Sequence, residues 1–218
     1  MNILGVDIGG TNVKFRTERK QVVKVPSGPK MTPDVMMAAI QQHTAGWKYD
    51  HVSIGFPGPV IHERPLLEPH NLGKGWVRFD FKKAFGNRPL KLLNDAAMQA
   101  MGSYRGGRMF YLGLGTGLGS AMVVDGSVQA MELAHLPWRK GKSYEDYLGK
   151  AGLKRNGRKV WRKDVLTVIG LMSHALEADY VVLGGGNAKL MKKLPDNVLL
   201  GSNDNAFKGA FMLWKDDH

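Results

Sequence analysis

The sequence predicts an α/β protein made of two related halves. Each half opens with the same order of features (strand, glycine-rich turn, strand, turn, strand) and continues with helices and further strands. Neither a low-complexity segment nor an obvious flexible linker interrupts the chain. Two such halves predict a cleft between them, in which a nucleotide or a phosphate chain could lie.

The first half is expected to begin with an antiparallel meander, because turn residues separate three short apolar runs. A helix should run from Pro33 to about residue 43, since Thr32 is a good N-cap and proline is favoured at the first helical position. Asn94-Asp95 should cap a second helix that reaches about residue 104. The strands of this half are predicted at 3–8, 13–17, 21–25, 51–56 and 90–93, with a loop containing short strands at 61–86.

The second half repeats this order. A long helix is predicted over about 159–177, and a terminal helix over 205–214. We expect one domain at 1–93, completed by the C-terminal helix within 205–218, and a second domain at 94–204. The strands of this half are predicted at 109–114, 119–125, 127–131 and 180–183, and the last of them is followed by the turn Gly184-Gly185-Gly186.

The turn between the first two strands has the composition of a phosphate-binding site. The run is Asp7-Ile8-Gly9-Gly10-Thr11-Asn12-Val13-Lys14. Glycine lets the backbone approach a phosphate and expose its N–H groups, Thr11 can donate a hydrogen bond, and Lys14 can supply charge. Asp7 can hold Mg²⁺ directly or through water. A plain polar hairpin is the alternative, but an acid and a threonine at this spacing favour phosphate.

The corresponding turn of the second half is Gly113-Leu114-Gly115-Thr116-Gly117-Leu118-Gly119. Its spacing is not the G-x-G-x-x-G of a dinucleotide site, and no Gly-Lys pair in the chain has the earlier glycine of a P-loop. Alone, the segment is equally explained as a glycine-rich bulged strand. Beside the first hairpin, Gly115, Thr116 and Gly117 are better interpreted as the opposing clamp on the phosphates.

The composition excludes several kinds of chemistry. The 218 residues contain no cysteine, which excludes disulfides, thiolate catalysis and cysteine-ligated zinc. No apolar run reaches 18 residues, so no membrane span is predicted. Since the N-terminus leads directly into a strand, no signal peptide is expected, and we expect a cytoplasmic protein.

The charge balance indicates an anionic partner. The formal net charge is +12, from 31 basic and 19 acidic residues, which suits a polyanion or a phosphate-rich substrate. Nucleic acid is the default interpretation of a sequence pI near 9.9. However, no zinc-finger spacing, RNP-type aromatic motif or additional helix-turn-helix region supports it, so a nucleic-acid partner is not expected.

A series of motifs follows in order along nearly the whole chain. They are DIGGTNVK from Asp7, GFPGPV from Gly55, Asn94-Asp95, LGLGTGLGSA from Leu112, ELAHLPWRKGKSYEDYLG from Glu132, KVWRKDV from Lys159, DYVVLGGGNAK from Asp179 and NDNAFKGAFMLW near the C-terminus. The sequence thereby resembles the ROK family of sugar kinases, within the actin-like ATPase and sugar kinase superfamily, and its closer likeness is to the polyphosphate glucokinases. The resemblance implies a two-domain, ribonuclease H-like α/β fold with a cleft, and phosphoryl transfer to a hexose 6-hydroxyl.

Asp95 is the best candidate for the catalytic base. Phosphoryl transfer needs a carboxylate that accepts the proton of the sugar hydroxyl and directs its oxygen at the terminal phosphorus. Asp95 follows the predicted strand 90–93, which would place it at the carboxyl end of that strand, and the family's base falls on this residue. The alternative is that Asn94-Asp95 only caps the following helix, although a cap needs one of the two.

The resemblance also implies a sugar pocket. Glu132, His135 and Glu145 stand in the order of the family's sugar-binding residues, and Asn94, Asp95 and the backbone near Gly58 complete the expected site. Without the resemblance, Glu145 would belong to a solvated charge run and His135 would be an ordinary interior histidine. Asn71 could also reach the sugar, but Asn-Leu-Gly equally forms a turn.

The sequence departs from the family after the histidine. Most ROK kinases carry a cysteine-rich zinc loop there, whereas residues 136–142 offer no thiolate. We therefore expect no zinc site, and the polyphosphate glucokinases share this zinc-free form. Ala134 also stands where the family usually has glycine, and an extra methyl group there could tighten the sugar pocket.

Basic residues crowd the segment that follows, where a polyphosphate donor would need cations. They are Arg139, Lys140, Lys142, Lys150, Lys154, Arg155, Arg158, Lys159, Arg162 and Lys163. A phosphate chain could lie along them as a nucleic-acid backbone lies along a basic protein surface. The alternative is a solvated helix face.

The expected partners are therefore glucose or a similar hexose, with polyphosphate or ATP as donor and Mg²⁺ as cofactor. ATP stays open because Gly184, Gly185 and Gly186 match the family's adenosine-side turn. An ATP-only hexose kinase and a non-catalytic sugar-binding regulator are the alternatives, and a homodimer is left open.

Overall fold

The computed structural model describes residues 1–202 and 204–215, and the chain forms two compact units. The first unit contains residues 1–98 with the C-terminal segment from Ala206, and the second contains residues 99–205. The domain bounds expected from the sequence, 1–93 with 205–218 and 94–204, stay a prediction. Residues 203 and 216–218 of those ranges lie outside the described part of the chain.

Strands and helices alternate along both units. In chain order the elements up to residue 103 are β1 (Ile3–Ile8), β2 (Asn12–Thr17), β3 (Val23–Pro26), α1 (Pro33–His43), β4 (His51–Phe56), β5 (Val60–Ile61), β6 (Arg64–Pro65), α2 (Phe81–Ala84), β7 (Leu90–Asn94) and α3 (Asp95–Ser103). The later elements are β8 (Arg108–Leu114), β9 (Leu118–Val124), β10 (Ser127–Met131), α4 (Tyr144–Leu148), α5 (Lys150–Ala175), β11 (Tyr180–Gly184), β12 (Val198–Leu200) and α6 (Asn205–Met212).

The sheet of the first unit has the order β3-β2-β1-β4-β7. Strands β1, β4 and β7 are parallel, and β2 is antiparallel to both of its neighbours, β1 and β3. Every residue of β1 is buried, because α6 covers one of its faces. A Cβ atom on Gly5 would lie 3.1 Å from Ala210 Cβ, so the glycine permits this close approach. The parallel strands bring the carboxyl ends of β1, β4 and β7 to one edge of the sheet.

The sheet of the second unit repeats the arrangement in the order β10-β9-β8-β11-β12, with β8, β11 and β12 parallel. Helix α5 covers it through buried side chains such as Trp161, Val165 and Val168. Strands β8 and β9 pair in one regular register from Arg108↔Val124 to Leu114↔Leu118. The glycine-rich segment between them is therefore a tight hairpin turn, and the alternative of a bulged strand is wrong.

Most sequence-based elements agree with the structure, and the differences have local causes. Helix α1 begins after Thr32, whose side chain accepts a hydrogen bond from the Val35 N–H at 3.3 Å, as expected. Helix α5 begins at Lys150, nine residues before the predicted residue 159. The prediction starts too late because Gly157 (φ 71°, ψ 163°) kinks the helix and interrupts the helical pattern of its first turns. Helices α2 and α4 and strand β12 are only three to five residues long, too short to produce a clear period.

Within the described ranges, 1–202 and 204–215, no helix combines the length and the apolar character that crossing a membrane requires.

Candidate active site

The β1–β2 hairpin of the first unit carries an ion pair at its base. Asp7 stands opposite Lys14 in the strand register, and the Lys14 Nζ donates to Asp7 Oδ2 at 2.9 Å. The Asp7 side chain is only 9% exposed, so Lys14 balances a nearly buried negative charge. The Gly9 N–H donates to the Asn12 carbonyl at 3.0 Å and closes the turn, which leaves Gly10 and Thr11 exposed at its tip. This geometry suits a phosphate that approaches the tip.

Ser27 holds the same turn from the end of β3, and sequence reasoning did not find it. Its hydroxyl donates to the Gly9 carbonyl, and its N–H donates to the Thr11 carbonyl at 2.9 Å. Asn71 lies on the other side, where a Cβ on Gly10 would be 3.1 Å from the Asn71 Cβ. The loop that contains Asn71 therefore lies against the hairpin. A small polar residue after a predicted strand is the only signal that the sequence offers for Ser27.

Asn94 and Asp95 mark the change from β7 to α3. The Asn94 Oδ1 accepts hydrogen bonds from the N–H groups of Ala96 (2.8 Å) and Ala97 (3.2 Å), and its Nδ2 donates to the Gly58 carbonyl at 3.1 Å. Asn94 is therefore the helix cap and ties the turn after β4 to the start of α3. Asp95 is half-buried and is the first residue of the helix, so the capping role does not fall on it.

Gly55 allows Asp95 to stand at this edge. A Cβ on Gly55 would lie 2.5 Å from Met98 Cε and 3.4 Å from Asp95 Cα, so the glycine leaves room for the Met98 side chain where α3 approaches β4 closely. Asp7 is paired with Gly55, and Gly55 is paired with Leu93, across the three parallel strands. Asp7 and Asp95 thus lie near the same edge, separated by two strand spacings, about 10 Å. A phosphate could be held near Asp7 while a hydroxyl group meets Asp95.

The turn Gly115-Thr116-Gly117 of the second unit is held by three groups from outside it. The Lys150 N–H donates to the Thr116 carbonyl at 3.1 Å, and the Asn187 Nδ2 donates to the Gly115 carbonyl at 3.0 Å. The Glu145 Oε2 accepts from the Leu118 N–H at 2.9 Å. Asn187 was not predicted as a site residue, because its partner lies 72 positions earlier in the chain.

The turn Gly184-Gly185-Gly186 lies directly beside this hairpin. Gly184 is the register partner of Gly113, and the Asn187 N–H donates to the Leu114 carbonyl at 2.9 Å. Gly185 has a φ of +78°, and a Cβ there would lie 2.5 Å from the Leu114 carbonyl oxygen. The structure therefore brings together the two turns of this unit for which the sequence predicts donor binding, and that role stays a prediction.

Glu132, His135 and Glu145 form an open polar group in the same unit. The His135 Nε2 lies 3.8 Å from Glu132 Oε2, and these side chains are 70% and 47% exposed. Partial burial raises the pKa of Glu132 above its ordinary value, and the nearby charge of Glu145 acts in the same sense, while His135 opposes them. A group of two carboxylates and an imidazole can accept and donate hydrogen bonds to vicinal hydroxyls.

Ser120 fixes the backbone on both sides of Glu132. Its buried hydroxyl donates to the Met131 carbonyl at 2.8 Å and accepts from the Leu133 N–H at 3.3 Å. Sequence reasoning missed this residue too, since a serine inside a strand gives no sign of its partners.

The cysteine-free segment after His135 is organised by aromatic stacking. The rings of Trp138 and Tyr144 stack with centroids 5.5 Å apart, and the Arg139 guanidinium lies 3.8 Å from the Trp138 ring centroid. Arg139 also donates to the buried carboxylate of Asp164 at 3.0 Å. These contacts connect the segment with α4 and α5 and hold in place the residues between His135 and Glu145.

The basic cluster is mostly exposed, but three members have structural partners. Arg139 pairs with Asp164, Arg155 donates to the Asp146 carbonyl at 2.6 Å, and Arg162 donates to the Leu190 carbonyl at 2.6 Å. Nine members are exposed and Arg162 is half-buried; the exposed ones are Arg139, Lys140, Lys142, Lys150, Lys154, Arg155, Arg158, Lys159 and Lys163. Among the described residues, no three His, Asp or Glu side chains are grouped so that they could hold a metal ion.

Two mixed sheets, each opening with a glycine-rich hairpin and presenting polar groups at the carboxyl ends of parallel strands, define a protein of the actin-like ATPase and sugar kinase class. The sequence matches the ROK family over residues 3–131, and the chain belongs to this family.

Individual relatives and solved structures are similar to this chain over most or all of its length. A polyphosphate glucokinase of Mycobacterium tuberculosis is 24% identical over 212 residues, which are 87% of this chain and 79% of the relative. The crystal structure of an inorganic polyphosphate/ATP-glucomannokinase from Arthrobacter sp. strain KM has a TM-score of 0.82 at 22% identity, and the match covers 100% of this chain and 99% of the glucomannokinase chain. A ROK family glucokinase from Streptomyces griseus, solved with glucose and AMPPNP, has a TM-score of 0.74 at 17% identity, with 98% and 99% covered. The predicted fold and family resemblance are confirmed.

Proposed function

We propose that this protein is a phosphotransferase that moves a phosphoryl group from polyphosphate, with ATP as a second donor, to the 6-hydroxyl of glucose or a related hexose. The observation that carries the proposal is the position of Asp95. It begins α3 at the same sheet edge as the Asp7–Lys14 hairpin, and Asn94 has already taken the capping role. A half-buried carboxylate at the first residue of a helix, at the carboxyl edge of the parallel strands, is suited to accept the proton of a hydroxyl.

In this proposal the sugar is held by Glu132, His135 and Glu145, with contributions from Asn94, Asp95 and the backbone at Gly58. The carboxylates accept hydrogen bonds from hydroxyl groups, and the imidazole donates or accepts according to its tautomer. Asn94 uses its oxygen and one of its two N–H groups within the protein, which leaves the other N–H for a hydroxyl. Ser120 keeps Glu132 in position through the two hydrogen bonds of its hydroxyl.

The donor is held by the glycine-rich turns. In the first unit these residues are Gly9, Gly10 and Thr11, with Asp7 and Lys14 at the hairpin base, and in the second unit they are Gly115, Thr116, Gly117, Gly184, Gly185 and Gly186. Exposed backbone N–H groups of such turns bind phosphate oxygens. The relatives named for polyphosphate support that donor, and so does the row of exposed lysines and arginines along α5.

Magnesium would arrive with the donor. Mg²⁺ at phosphoryl-transfer sites is held by phosphate oxygens, water and one or two carboxylates, not by a protein cage. Asp7 fits this role, because its Oδ2 already accepts from Lys14 and its carboxylate stands beside the phosphate turn. The ion would neutralise charge on the transferred phosphoryl group, while Lys14 holds the Asp7 side chain in place.

Activity is accordingly expected to require Mg²⁺ and to be independent of zinc. The chain has no thiolate, and aromatic stacking holds the segment where the family carries its zinc loop. Metal analysis of protein purified without added metal should find zinc well below stoichiometry. Excess EDTA should abolish turnover, and Mg²⁺ added afterwards should restore it in full. Stoichiometric zinc, or full activity in chelator, would contradict the assignment.

Glu132→Gln should raise the glucose KM by about 10–100-fold, the usual range for a lost charge-assisted hydrogen bond, and leave the donor KM within a few-fold. The raised pKa of Glu132 adds a pH signature. The ionised form dominates above that pKa, so the glucose KM of the parent should rise as the pH falls through it, at a higher pH than an ordinary glutamate would show. The Gln variant should lack this limb of the profile. A change in the donor KM alone would place Glu132 outside the sugar site.

A coupled assay tests the proposal as a whole. Glucose is offered with MgATP or with long-chain polyphosphate and Mg²⁺, and glucose 6-phosphate is detected enzymatically. Product from polyphosphate supports the proposal, product from ATP alone supports the second candidate below, and product from neither donor rejects a glucokinase. Mannose, N-acetylated sugars and fructose in the same assay define the hexose.

An ATP-only ROK hexose kinase is the second candidate. The observation in its favour is the pairing of the Gly184–Gly186 turn with the Gly115–Gly117 turn, because two adjacent turns suit a nucleoside and its phosphates better than a uniform phosphate chain. A homodimer remains a prediction for either candidate.

A further inference from the structure

Glu145 contacts the glycine-rich turn of the second unit directly. Helix α4 begins with a capping box formed by Ser143 and Asp146, which places Glu145 in its first turn. From there the Glu145 Oε2 accepts the Leu118 N–H at 2.9 Å. A Cβ on Gly117 would overlap Oε2 and would lie 3.3 Å from Cδ and 3.9 Å from Oε1. The carboxylate therefore fills the space that a side chain at residue 117 would occupy.

The backbone around Glu145 holds the same turn a second time. The Lys150 N–H donates to the Thr116 carbonyl at 3.1 Å. A Cβ on Gly149 would lie 2.9 Å from the Glu145 carbonyl oxygen and 3.0 Å from the Thr116 carbonyl oxygen, so the junction between α4 and α5 is closely packed against the turn. A displacement of Glu145 must therefore be felt by Thr116 and Gly117.

Glu145 also belongs to the polar group of Glu132 and His135. Its charge is close enough to Glu132 to raise the pKa of that carboxyl group. In the described part of the chain, the second oxygen of Glu145, Oε1, makes no hydrogen bond and could meet a sugar hydroxyl. One carboxylate thus contacts the glycine-rich turn through Oε2 and lies near enough to Glu132 to act on its charge.

We propose that Glu145 is a positioning residue for the Gly115–Gly117 turn as well as a sugar ligand, and that it couples sugar binding to donor binding. The inference rests on the proposed function. A hydroxyl bound at Oε1 restricts the rotation of the carboxylate and so strengthens the hold of Oε2 on the Leu118 N–H. The turn is then already ordered when the donor phosphates arrive. By linkage, bound donor must tighten sugar binding by the same factor.

The experiment measures the affinity of Mg–AMPPNP by calorimetry with and without saturating glucose, with inorganic tripolyphosphate in a parallel series. In the parent, saturating glucose should raise the affinity for the donor probe by about fivefold or more, within the usual range of coupling. Glu145→Ala should weaken the probe even without glucose and abolish the coupling. Glu145→Gln keeps an oxygen for the Leu118 N–H, so its affinity without glucose should stay near that of the parent.

Glu132→Ala is the matched control, because Glu132 lies in the same polar group and, among the described residues, shares no hydrogen bond with the turn. It should weaken glucose binding and leave the probe affinity measured without glucose unchanged. If Glu145→Ala behaves in the same way as this control, Glu145 is a sugar ligand only and the inference is overturned. A parent that binds neither probe nor glucose instead rejects the proposed function, and the inference with it.

A double-mutant cycle excludes a general folding defect as the cause. The three atoms nearest to a Cβ at residue 117 belong to the Glu145 carboxylate, so Gly117→Ala should weaken binding of the donor probe by displacing that carboxylate. In the Glu145→Ala background the same substitution no longer meets that carboxylate, so it should lower the affinity for the donor probe by less than twofold. An equal cost in both backgrounds would show that the methyl group blocks the donor itself, and would contradict the positioning role.

Discussion

Replacing Asp95 with Asn is expected to lower turnover by about 10²–10⁴-fold while glucose still binds, the range that follows the loss of a general base. Asparagine keeps the size and shape of the side chain but cannot accept the proton of the 6-hydroxyl. The start of α3 should survive, because the Asn94 Oδ1 accepts the first helical N–H groups at 2.8 and 3.2 Å. Steady-state rates at saturating glucose and donor, with glucose affinity from calorimetry, separate chemistry from binding.

Asp34→Asn supplies the matched control. Asp34 is also an acid in the first turn of a helix of the first unit, where Thr32 provides the cap. Loss of its charge removes the same favourable interaction with a helix N-terminus, worth about 0.3–1 kcal/mol, without touching the proposed site. Turnover should stay near that of the parent in this variant. If Asp95→Asn also kept turnover within a few-fold, Asp95 would have no part in proton transfer.

Those parts of the fold and site that depend on local pattern could be predicted from the sequence. Strands β1 and β4 and helix α1 follow from apolar runs and a cap that lie within a few residues of one another. The Asp7–Lys14 hairpin could be recognised because its acid, glycines and lysine are contiguous. For Asp95, the sequence left open whether the residue caps the helix, and the hydrogen bonds of Asn94 answered that question.

The parts that depend on distant contacts could not be predicted. Ser27, Ser120 and Asn187 hold the predicted turns and Glu132 through hydrogen bonds that span between 11 and 72 positions of the chain. In the sequence each is only a small polar residue within or after a strand, and such residues are common in strands and turns. The role of Glu145 is hidden in the same way, because Leu118 lies 27 positions before it.

Neutralising the exposed cations near the kink of α5 should weaken polyphosphate use far more than ATP use. The variant replaces Lys154, Arg158 and Lys159 with Gln and leaves Arg155 in place, because Arg155 donates to the Asp146 carbonyl and supports α4. A polyanion that contacts all three cations releases counterions at each, so the polyphosphate KM at about 0.1 M salt should rise on the order of 10²-fold. ATP presents only three phosphates, which the proposal places at the glycine-rich turns, so its KM should change by less than about threefold.

The salt dependence distinguishes a binding track from a solvated helix face. In the parent, log KM for polyphosphate should rise with log salt, and the slope should fall by about 0.7–0.9 for each contact removed. The control removes the same charge from exposed lysines of the first unit, Lys24, Lys82 and Lys83, and should leave both donors and the slope unchanged. If both triple variants alter the polyphosphate KM equally, only net charge matters and α5 does not carry the track. An unchanged polyphosphate KM in the α5 variant would place the track elsewhere, and a parent without polyphosphate activity would make the ATP-only kinase the correct assignment.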